Sequence, residues 1–338
     1  MTELECLSLM KAPGDIRPGK STKCVIQILV TSSCTLACSS CTQASNLRRP
    51  HWAMTPEQFE AACKSLSGYQ HVVGVFGGCP TISKHFPDYC RIIREHFPRK
   101  QCGIWANDLL GHGPLCRETF NPSVSNLNVH GSQKAYDEIR RDWPEARPFG
   151  LTPSSHSPVF ASMIDLKVDE PARWELISQC TINQFWSAGI GVFRGDLRAW
   201  FCEIAMSQSL LKQHDTDYPD TGTKVVPGWW QLPMTAFAHQ VRTHCHHCSV
   251  PLRGKGSLDS GTITQISKHY PNIKPKRGST EIVTTLEQLQ AFAVDKVTEY
   301  RKNATCNTTT PSPNAHDSRP NSATTNTSPS HSTPNPIT

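Results

Sequence analysis

The sequence predicts an α/β fold in which helices cover a largely parallel sheet. Between Cys24 and Leu166, short apolar runs alternate with amphipathic stretches of helical length, which is typical of repeated strand–helix units. The apolar runs are nearly continuous and rich in β-branched residues, as expected of strands that are buried on both faces. Such a sheet is either doubly wound or closed into a full or partial barrel. In both cases the functional residues collect at the carboxyl ends of the strands.

Two strand–helix units open this region. The run CVIQILVT at Cys24–Thr31 predicts the first strand, and TPEQFEAACKSL at Thr55–Leu66 predicts the helix that follows it. Thr55 suits a helix N-cap, and the proline after it suits the first helical position. The run HVVGVF at His71–Phe76 predicts the second strand, and PDYCRIIREHF at Pro87–Phe97 predicts the second helix.

Further apolar runs continue the alternation. QCGIWAN at Gln101–Asn107 predicts the third strand, and SNLNVHG at Ser125–Gly131 predicts the fourth. SQKAYDEIRRDW at Ser132–Trp143 predicts the next helix. Two additional strands are predicted near Phe149 and at Ala161–Leu166.

The composition argues against a secreted or membrane-spanning protein. No apolar run approaches the roughly 20 residues that a membrane-spanning helix needs, and the N-terminus lacks a charged flank followed by an apolar core. We therefore expect a cytoplasmic protein without a membrane partner, whose 15 cysteines do not form a disulfide framework. The net charge of +6 is a mild excess and predicts a solvated basic surface.

Seven cysteines stand singly in the sequence, several of them in apolar periodic segments. Isolated cysteines of this kind are typical of buried positions, where they act as small apolar residues. The seven are Cys6, Cys24, Cys63, Cys90, Cys102, Cys116 and Cys306. The remaining cysteines form clusters, and these clusters are the candidates for metal binding.

The first cluster follows the first predicted strand directly. Cys34, Cys38 and Cys41 have the spacing C-x3-C-x2-C within TSSCTLACSSC, so three thiolates of one loop can converge on one metal cluster. A structural zinc site normally uses four ligands in two separated pairs. Cysteine thiolates are the usual ligands of iron–sulfur clusters. Three of them leave one iron of a [4Fe–4S] cluster open to a cofactor or substrate.

This pattern resembles the motif of the radical S-adenosylmethionine (radical SAM) superfamily. VGVFGGCP at Val73–Pro80 resembles the family's Gly-Gly-Glu-Pro motif, whose backbone meets the amino group of SAM. Two residues depart from the family pattern. Cys79 replaces the glutamate of that motif. Its thiol could have a function in the site, but we favour the interpretation that the substitution is simply tolerated. Ser40 replaces an aromatic residue that contacts the adenine.

The resemblance implies a partial (β/α)6 TIM-like barrel and a [4Fe–4S] cluster bound by Cys34, Cys38 and Cys41. It further implies that SAM binds the open iron and is cleaved reductively to a 5′-deoxyadenosyl radical, with an electron from a donor such as flavodoxin or ferredoxin. The radical then abstracts hydrogen from a substrate. The residues implied in SAM binding are Gly77, Gly78, Cys79, Pro80, Asn107, Asn128, His130 and Ser132. No catalytic acid, base or radical relay can be assigned.

A second cluster lies later in the chain. Cys180 and Cys202 flank a predicted hairpin that turns at Arg194-Gly195-Asp196, and Cys245 and Cys248 form a C-x2-C pair. Four thiolates in this arrangement can enclose an iron–sulfur cluster or a zinc ion, and a site without metal is the third interpretation. The cluster resembles the SPASM and twitch extensions of radical SAM enzymes, which implies one auxiliary [4Fe–4S] cluster. Three neighbouring histidines are expected to be polar loop residues, although each could replace a ligand: His244, His246 and His247.

Three functions are compatible with the sequence. We favour a radical SAM oxidoreductase or maturase that acts on a peptide or a polar small molecule, with the auxiliary cluster assisting oxidation or substrate binding. The second hypothesis is radical modification of a nucleotide or nucleic-acid base, which the positive charge permits. The third is a non-catalytic zinc protein that binds a partner.

Changes in composition, together with what the family resemblance implies, divide the chain into five predicted parts. After Asn303 the sequence is almost wholly Asn, Thr, Ser and Pro, and it cannot bury enough apolar area to order itself. The five parts are an N-terminal segment (1–20), a radical SAM core (21–169), a small SPASM/twitch-like cluster-binding extension (170–283), a C-terminal helix (284–302) and a disordered tail (303–338).

Overall fold

The computed structural model describes residues 1–16, 26–36, 41–45, 51–151 and 162–252, together with residues 295, 297, 298 and 302. The chain divides into two compact units, Met1–Glu299 and Tyr300–Thr338. In the second unit only Lys302 is described, and it is helical. The tail predicted at 303–338 lies outside the described residues, whereas the described residues of the predicted helix over 284–302 are all helical.

The first unit is built on one mixed, mostly parallel sheet. Its strands are β1 (Ile26–Thr31), β2 (Val73–Gly77), β3 (Cys102–Ala106), β4 (Asn126–Leu127), β5 (Ala188–Phe193), β6 (Asp196–Trp200) and β7 (Thr223–Lys224). They lie in the order β4-β3-β2-β1-β5-β6-β7. The pairings among β1 to β5 are parallel, whereas β6 is antiparallel to both β5 and β7. The predicted α/β class is therefore confirmed.

Helices alternate with the strands in the first half of the chain and are grouped in the second. They are α1 (Glu3–Leu9), α2 (Pro56–Ser65), α3 (Phe86–His96), α4 (Gly113–Thr119), α5 (Gln133–Asp142), α6 (Glu170–Ser178), α7 (Thr181–Phe185), α8 (Glu203–Leu211) and α9 (Ala238–His244). No helix among the described residues is both long and apolar enough to cross a membrane.

The predicted strand–helix units are present. Their described ends agree with the predictions to within two residues, except that β4 ends at Leu127, four residues before the predicted Gly131. Helix α2 shows why its start could be predicted. The Thr55 side chain accepts a hydrogen bond from the Gln58 backbone N–H at 3.2 Å, and the Gln58 side chain accepts one from Thr55 N–H at 3.0 Å. This reciprocal capping box satisfies two donors that the first helical turn leaves without partners. Ser132 caps α5 in a similar way, because its Oγ accepts from Ala135 N–H at 3.2 Å.

Two of the later strand predictions fail. The run near Phe149 forms only an isolated bridge with Asn128. The strand predicted at Ala161–Leu166 is wrong, because residues 163–166 are in a turn. The Ser162 hydroxyl accepts hydrogen bonds from the backbone N–H groups of Ile164 and Asp165, at 3.2 and 3.4 Å. A serine that bonds the local backbone in this way competes with strand pairing.

The sheet continues past β1 into the region after residue 169. Strand β5 lies beside β1, with Ile26 opposite Ala188. The predicted hairpin is confirmed: β5 turns into β6 at Arg194 and Gly195, whose φ angles are +51° and +92°. Positive φ at both turn residues is what a tight two-residue hairpin requires. The described strands β1 to β4 follow the consecutive order of a barrel, and six-stranded closure stays a prediction.

Candidate functional site

Two cysteine sites lie in the first compact unit, and the first is at the carboxyl edge of the parallel strands. β1 ends at Thr31, and the chain enters the cysteine loop through Ser33 and Cys34. Cys34 is partly buried, and its Sγ lies 3.6 Å from the Asn107 Oδ1 that follows β3. The thiol therefore faces the neighbouring strand ends, as the sequence predicted for a functional loop.

Gly77 and Gly78 form a cradle under the cysteine loop. A Cβ on Gly78 would lie 2.1 Å from the Ser33 carbonyl oxygen and 2.9 Å from the Cys34 Cβ. A Cβ on Gly77 would lie 2.6 Å from the Thr31 carbonyl oxygen. These distances are far below van der Waals contact, so glycine is required at both positions. The cradle gives the Gly-Gly pair a structural reason: it allows the cysteine loop to lie against the end of β2.

Backbone hydrogen bonds fasten the loop to this cradle. Gly78 N–H donates to the Thr31 carbonyl at 3.0 Å, and Cys79 N–H donates to the Ser33 carbonyl at 2.7 Å. Both bonds join the end of β2 to the segment that leads into Cys34. Main-chain contacts thus fix the backbone that leads into Cys34.

Asn107 links the third strand to the same loop. Its side chain is almost fully buried, at 8% exposure, and its Nδ2 donates to Thr35 Oγ1 at 2.7 Å. Its Oδ1 can accept from the Cys34 thiol at 3.6 Å. The residue expected near SAM is therefore in contact with the residues on both sides of the Cys34–Thr35 peptide bond.

Cys79 replaces a glutamate of the family motif and is fully buried. Its Sγ lies 3.1 Å from Thr81 Oγ1 and donates to the Asp108 carbonyl at 3.4 Å. Burial raises the pKa of this thiol, with the contacts to Thr81 and Asp108 opposing the effect. A neutral, partnered thiol does not reproduce the charge of a glutamate. This geometry favours the tolerated substitution over a functional thiol.

The other predicted SAM contacts lie further along the sheet edge. Pro80 begins a 3₁₀ turn after the cradle. Asn128 and His130 follow β4, and the Asn128 Oδ1 accepts from His130 N–H at 3.1 Å. His130 has a φ of +47°, an uncommon conformation for a non-glycine residue. Ser132 Oγ is engaged in capping α5. With strands about 4.8 Å apart, β4 is about 14 Å from β1.

The two other cysteines of the first cluster differ in how far the structure describes them. Cys38 lies outside the described residues, between 36 and 41. Cys41 is partly buried, and its carbonyl accepts from Ala44 N–H at 2.9 Å. Ala44 is fully buried with a φ of +54°. The structure thus describes two of the three thiols, and three cysteines are the donor set of a cluster with one open iron.

The second site brings the four later cysteines around one narrow apolar cavity. Cys180 precedes α7 and Cys202 precedes α8. Cys245 follows α9, and Cys248 closes the next turn, with its N–H donating to the Cys245 carbonyl at 3.2 Å. All four side chains line the cavity, together with apolar residues of several elements. Residues separated by 68 positions in the sequence thus meet as the spacing predicted.

The protonation of these thiols depends on what the cavity contains. Burial raises the pKa of all four, and for Cys202, Cys245 and Cys248 the negative charge of neighbouring thiolates raises it further. Four thiolates cannot share an apolar cavity without a cation, so the thiols are neutral unless a metal is bound. Among the described residues, no three histidine, cysteine or acidic side chains have the geometry that holds a metal ion. Four thiols are the donor set of a thiolate-bound metal, and binding one would require these side chains to move closer together.

His244 is not available as a metal ligand. It is 1% exposed, and Gln208 Oε1, which can only accept, lies 3.1 Å from its Nδ1. Nδ1 therefore donates, and Nε2 accepts from the hydroxyls of Ser209 and Thr221, at 3.1 and 2.9 Å. With both ring nitrogens engaged, His244 fixes α9 against α8. The expectation of a polar loop residue is wrong for His244, because it is the buried last residue of α9, whereas its hydrogen bonds favour the predicted non-ligating role.

The other two histidines have partners as well. Arg173 Nε donates to His246 Nδ1 at 3.0 Å, and the His246 ring packs edge-on against Trp174 with 4.4 Å between centroids. Burial, with help from the Arg173 charge, lowers the pKa of His246 to about 4, so this ring is neutral near pH 7. His247 Nδ1 lies 3.2 Å from Ser162 Oγ. Burial also lowers its pKa.

The sequence reasoning missed Glu203, which follows Cys202 directly. Its side chain is 2% exposed, and the Ser187 hydroxyl donates to its Oε2 at 2.8 Å. Burial raises its pKa to about 7, although hydrogen bonds from Ser187 and Trp186 oppose the shift. One signal in the sequence could have revealed it: a single acidic residue at the start of the otherwise uncharged run EIAMSQSLL.

Comparisons with known proteins found similarity only at the level of structure. No family model matches this chain, and no curated protein matches it. The crystal structure of BtrN in complex with AdoMet and 2-DOIA is similar, with 18% identity and a TM-score of 0.43 over 66% of this chain and 91% of that chain. A crystal structure of BtrN in an open conformation matches with 14% identity and a TM-score of 0.38, over 73% and 96%. Both TM-scores are below 0.5, and the functional case therefore depends on this chain's own residues.

Proposed function

We propose that this protein is a radical SAM enzyme, in which Cys34, Cys38 and Cys41 hold a [4Fe–4S] cluster at the carboxyl edge of the sheet. The main support for the proposal is that three segments, each matched to a different motif of the family, lie against one another. The cysteine loop after β1, the Gly77–Gly78 cradle after β2 and Asn107 after β3 are in direct contact. Convergence of motif residues from successive parallel strands is typical of a functional site.

When bound, the cluster would supply the electron that cleaves SAM reductively and so begins radical chemistry on the substrate. The chain's own residues do the positioning. The glycine cradle and its two backbone hydrogen bonds hold the segment that enters Cys34. Asn107 holds Thr35 through a side-chain hydrogen bond. Cys79, Pro80, Asn128, His130 and Ser132 extend the proposed SAM-binding edge away from the cluster.

We further propose that Cys180, Cys202, Cys245 and Cys248 bind an auxiliary [4Fe–4S] cluster. Support comes from the shared apolar cavity and from the rigid frame around it, in which His244 joins α8 to α9. An electron acceptor beside the radical site suits an oxidation of a peptide or a polar small molecule, which we propose as substrate classes. A soluble donor such as flavodoxin or ferredoxin would deliver the first electron.

The test is anaerobic purification of the full chain followed by incubation with SAM and a strong reductant. We expect a brown protein that contains about eight irons and releases 5′-deoxyadenosine. The triple variant Cys34→Ala/Cys38→Ala/Cys41→Ala should release none while keeping about half of the iron. Cys306→Ala is the matched control and should behave as wild type. A colourless protein that contains zinc would refute the proposal and support a non-catalytic zinc protein.

The substrate class can be tested on the same preparation. Candidate peptides, polar small molecules and nucleotides, each deuterated, are incubated with the enzyme and SAM, and 5′-deoxyadenosine is examined by mass spectrometry. Label from a peptide or polar small molecule supports the proposed class. Label from a nucleotide alone would replace it with nucleotide modification.

A further inference from the structure

Large apolar side chains collect at the carboxyl edge of the sheet. Single exposed apolar residues are ordinary on a protein surface, whereas a group of them in one place indicates a binding surface. Ten large apolar side chains are exposed among the described residues, and four of them lie beyond the carboxyl ends of β2, β3 and β4. These four form the apolar rim: Ile82, Leu110, Phe149 and Leu151.

The segments that carry the rim lie next to one another. The hydroxyl of Thr81, which precedes Ile82, donates to the Asp108 carbonyl at 2.8 Å. Asp108 lies two residues before Leu110, so this bond joins the loop after β2 to the loop after β3. Strand β3 pairs with β4, and the residue that follows β4 forms a bridge with Phe149. The rim therefore follows the ends of three neighbouring strands.

The backbone holds Leu110 out of the core. Its neighbour Leu109 is fully buried, whereas Leu110 is 40% exposed. Leu110 has a φ of +49°, a left-handed conformation that is uncommon for leucine. Two hydrogen bonds fix the turn, because Leu110 N–H donates to Asp108 Oδ1 and Gly111 N–H donates to Glu138 Oε1, both at 2.9 Å. A strained turn that keeps a large apolar side chain in water indicates a binding role for that side chain.

Phe149 is also fixed by its backbone. Its N–H donates to the Leu127 carbonyl at 3.0 Å, and its carbonyl accepts from Val129 N–H at 2.9 Å. The next residue, Gly150, has a φ of +83°, and a Cβ there would overlap the Asn128 Oδ1. Phe149 is nevertheless 45% exposed. A contact surface on a fixed backbone needs little ordering when a ligand binds, which favours affinity.

We propose that the apolar rim binds the substrate of the radical reaction, and that this substrate is a peptide with apolar side chains beside the reacting residue. The proposal rests on the proposed function. The rim begins next to the glycine cradle at the end of β2, so a molecule bound on it lies beside the proposed radical site.

The size and chemistry of the rim favour a peptide. Neighbouring strands are about 4.8 Å apart, so the rim spans about 10 Å from β2 to β4. An extended peptide covers that distance with about three residues at about 3.3 Å each. A polar small molecule has too little apolar surface to cover four such side chains, whereas the apolar side chains of a peptide can remove them from water.

The test is photo-crosslinking to the full chain, purified anaerobically and supplied with SAM. The probe is a mixture of hexapeptides with photo-leucine at one internal position and random residues elsewhere, and mass spectrometry locates the crosslinks. We expect most crosslinks at residues 81–83, 108–112 and 149–151. The double variant Leu110→Asn/Phe149→Asn should lower the crosslink yield about tenfold, because apolar contact area is lost. Asparagine adopts the left-handed conformation more readily than leucine, so the turn at residue 110 is retained.

Leu232→Asn is the matched control. Leu232 is 37% exposed and follows Gly228, whose N–H donates to the carbonyl of Ser65 at the end of α2. This variant should crosslink as the wild type does, and urea unfolding confirms that each variant folds. Even crosslinking over the whole surface, an unchanged yield in the double variant, or equal labelling of the rim by a diazirine-bearing glucoside would overturn the proposal. A dimer that the double variant abolishes would overturn it too, because the rim would then bind a second copy of the chain.

Release of 5′-deoxyadenosine from SAM judges the proposed function separately. A chain that cleaves SAM but does not crosslink at the rim keeps the radical function and loses the peptide substrate. A chain that crosslinks at the rim but does not cleave SAM loses the proposed function, and the bound peptide is then not a substrate.

Discussion

Replacing Gly78 with alanine tests whether the glycine cradle positions the cysteine loop. The new Cβ would lie 2.1 Å from the Ser33 carbonyl oxygen, whereas ordinary van der Waals contact begins at 3.4 Å. The loop would have to move by about 1.3 Å, because the obstructing atoms belong to the backbone and have no rotamer to change. Movement of that size breaks the hydrogen bond from Cys79 N–H to the Ser33 carbonyl, now 2.7 Å.

The expected magnitude follows from these two effects. Overpacking costs about 1–3 kcal/mol and the lost hydrogen bond about 1 kcal/mol, so the free energy of unfolding of the Gly78→Ala variant should fall by about 2–4 kcal/mol. Misplacement by about 1 Å at a reacting group can slow catalysis about a hundredfold. We therefore expect production of 5′-deoxyadenosine to fall by about that factor. Urea unfolding measures the change in stability, and formation of 5′-deoxyadenosine measures the change in activity. Iron content shows whether the variant still binds its cluster.

Gly68→Ala is the matched control. Gly68 has a φ of +83°, and an added Cβ would meet nothing within 4 Å. Alanine there costs about 1–2 kcal/mol through backbone strain. Gly68 lies in the loop before β2, whereas the cradle lies at the other end of that strand. The control should lose stability but keep its iron and its activity. A Gly78→Ala variant with wild-type iron and activity would refute the reasoning.

Three further predictions follow from single side chains. Asn107→Ala removes the hydrogen bond to Thr35, so 5′-deoxyadenosine production should fall about tenfold, and an unchanged rate in an initial-rate assay would contradict this. His244→Ala leaves the partners of both ring nitrogens unsatisfied and should lower the unfolding free energy by about 2–3 kcal/mol. If the variant instead lost the iron of the second site and kept its stability, His244 would be a metal ligand. Burial raises the pKa of Glu203 from its ordinary 4.5 to about 7, so the folded state binds the proton more tightly. Wild-type stability should therefore fall by about 3 kcal/mol relative to Glu203→Gln as pH rises from 4.5 to 7, which urea unfolding of the metal-free proteins at pH 4.5 and 8 measures. A constant difference would contradict the shift.

Local signals predicted the elements that local chemistry determines. The Thr55 capping box and the Ser132 cap act within three residues, so the starts of α2 and α5 could be predicted from sequence alone. The hairpin turn at Arg194–Gly195 is also local. The strand predicted at Ala161–Leu166 failed for the same reason: apolar residues suggested a strand, but the Ser162 hydroxyl satisfies the backbone instead.

Features that depend on distant contacts could not be predicted in this way. The position of β5 beside β1 joins residues 162 positions apart, and no periodicity specifies it. The first 20 residues offered no functional signal, yet the Lys11 main chain pairs with the Asn183 side chain 172 residues later. Glu203 likewise gains its significance from a tertiary contact, the hydrogen bond from the Ser187 hydroxyl. Cysteine spacing predicted that Cys180, Cys202, Cys245 and Cys248 lie together, and all four line one cavity.

Helix α8 contacts the segments of both cysteine clusters, and we expect it to couple them. Cys202 precedes its first turn, and Ser207, about 7.5 Å further along the axis, donates from its Oγ to Gln43 Oε1 at 3.2 Å. Gln43 follows Cys41 by two residues, so one rigid element contacts both cysteine segments. The helix is buried along nearly its whole length, and small movements are therefore transmitted rather than absorbed. Closure of the second site around a metal would thus act on the loop that holds the first. In the Ser207→Ala variant, we expect iron binding at one site to depend less on iron binding at the other. Stepwise reconstitution with iron measures this dependence. The same dependence in the variant and the wild type would exclude α8 as the connection.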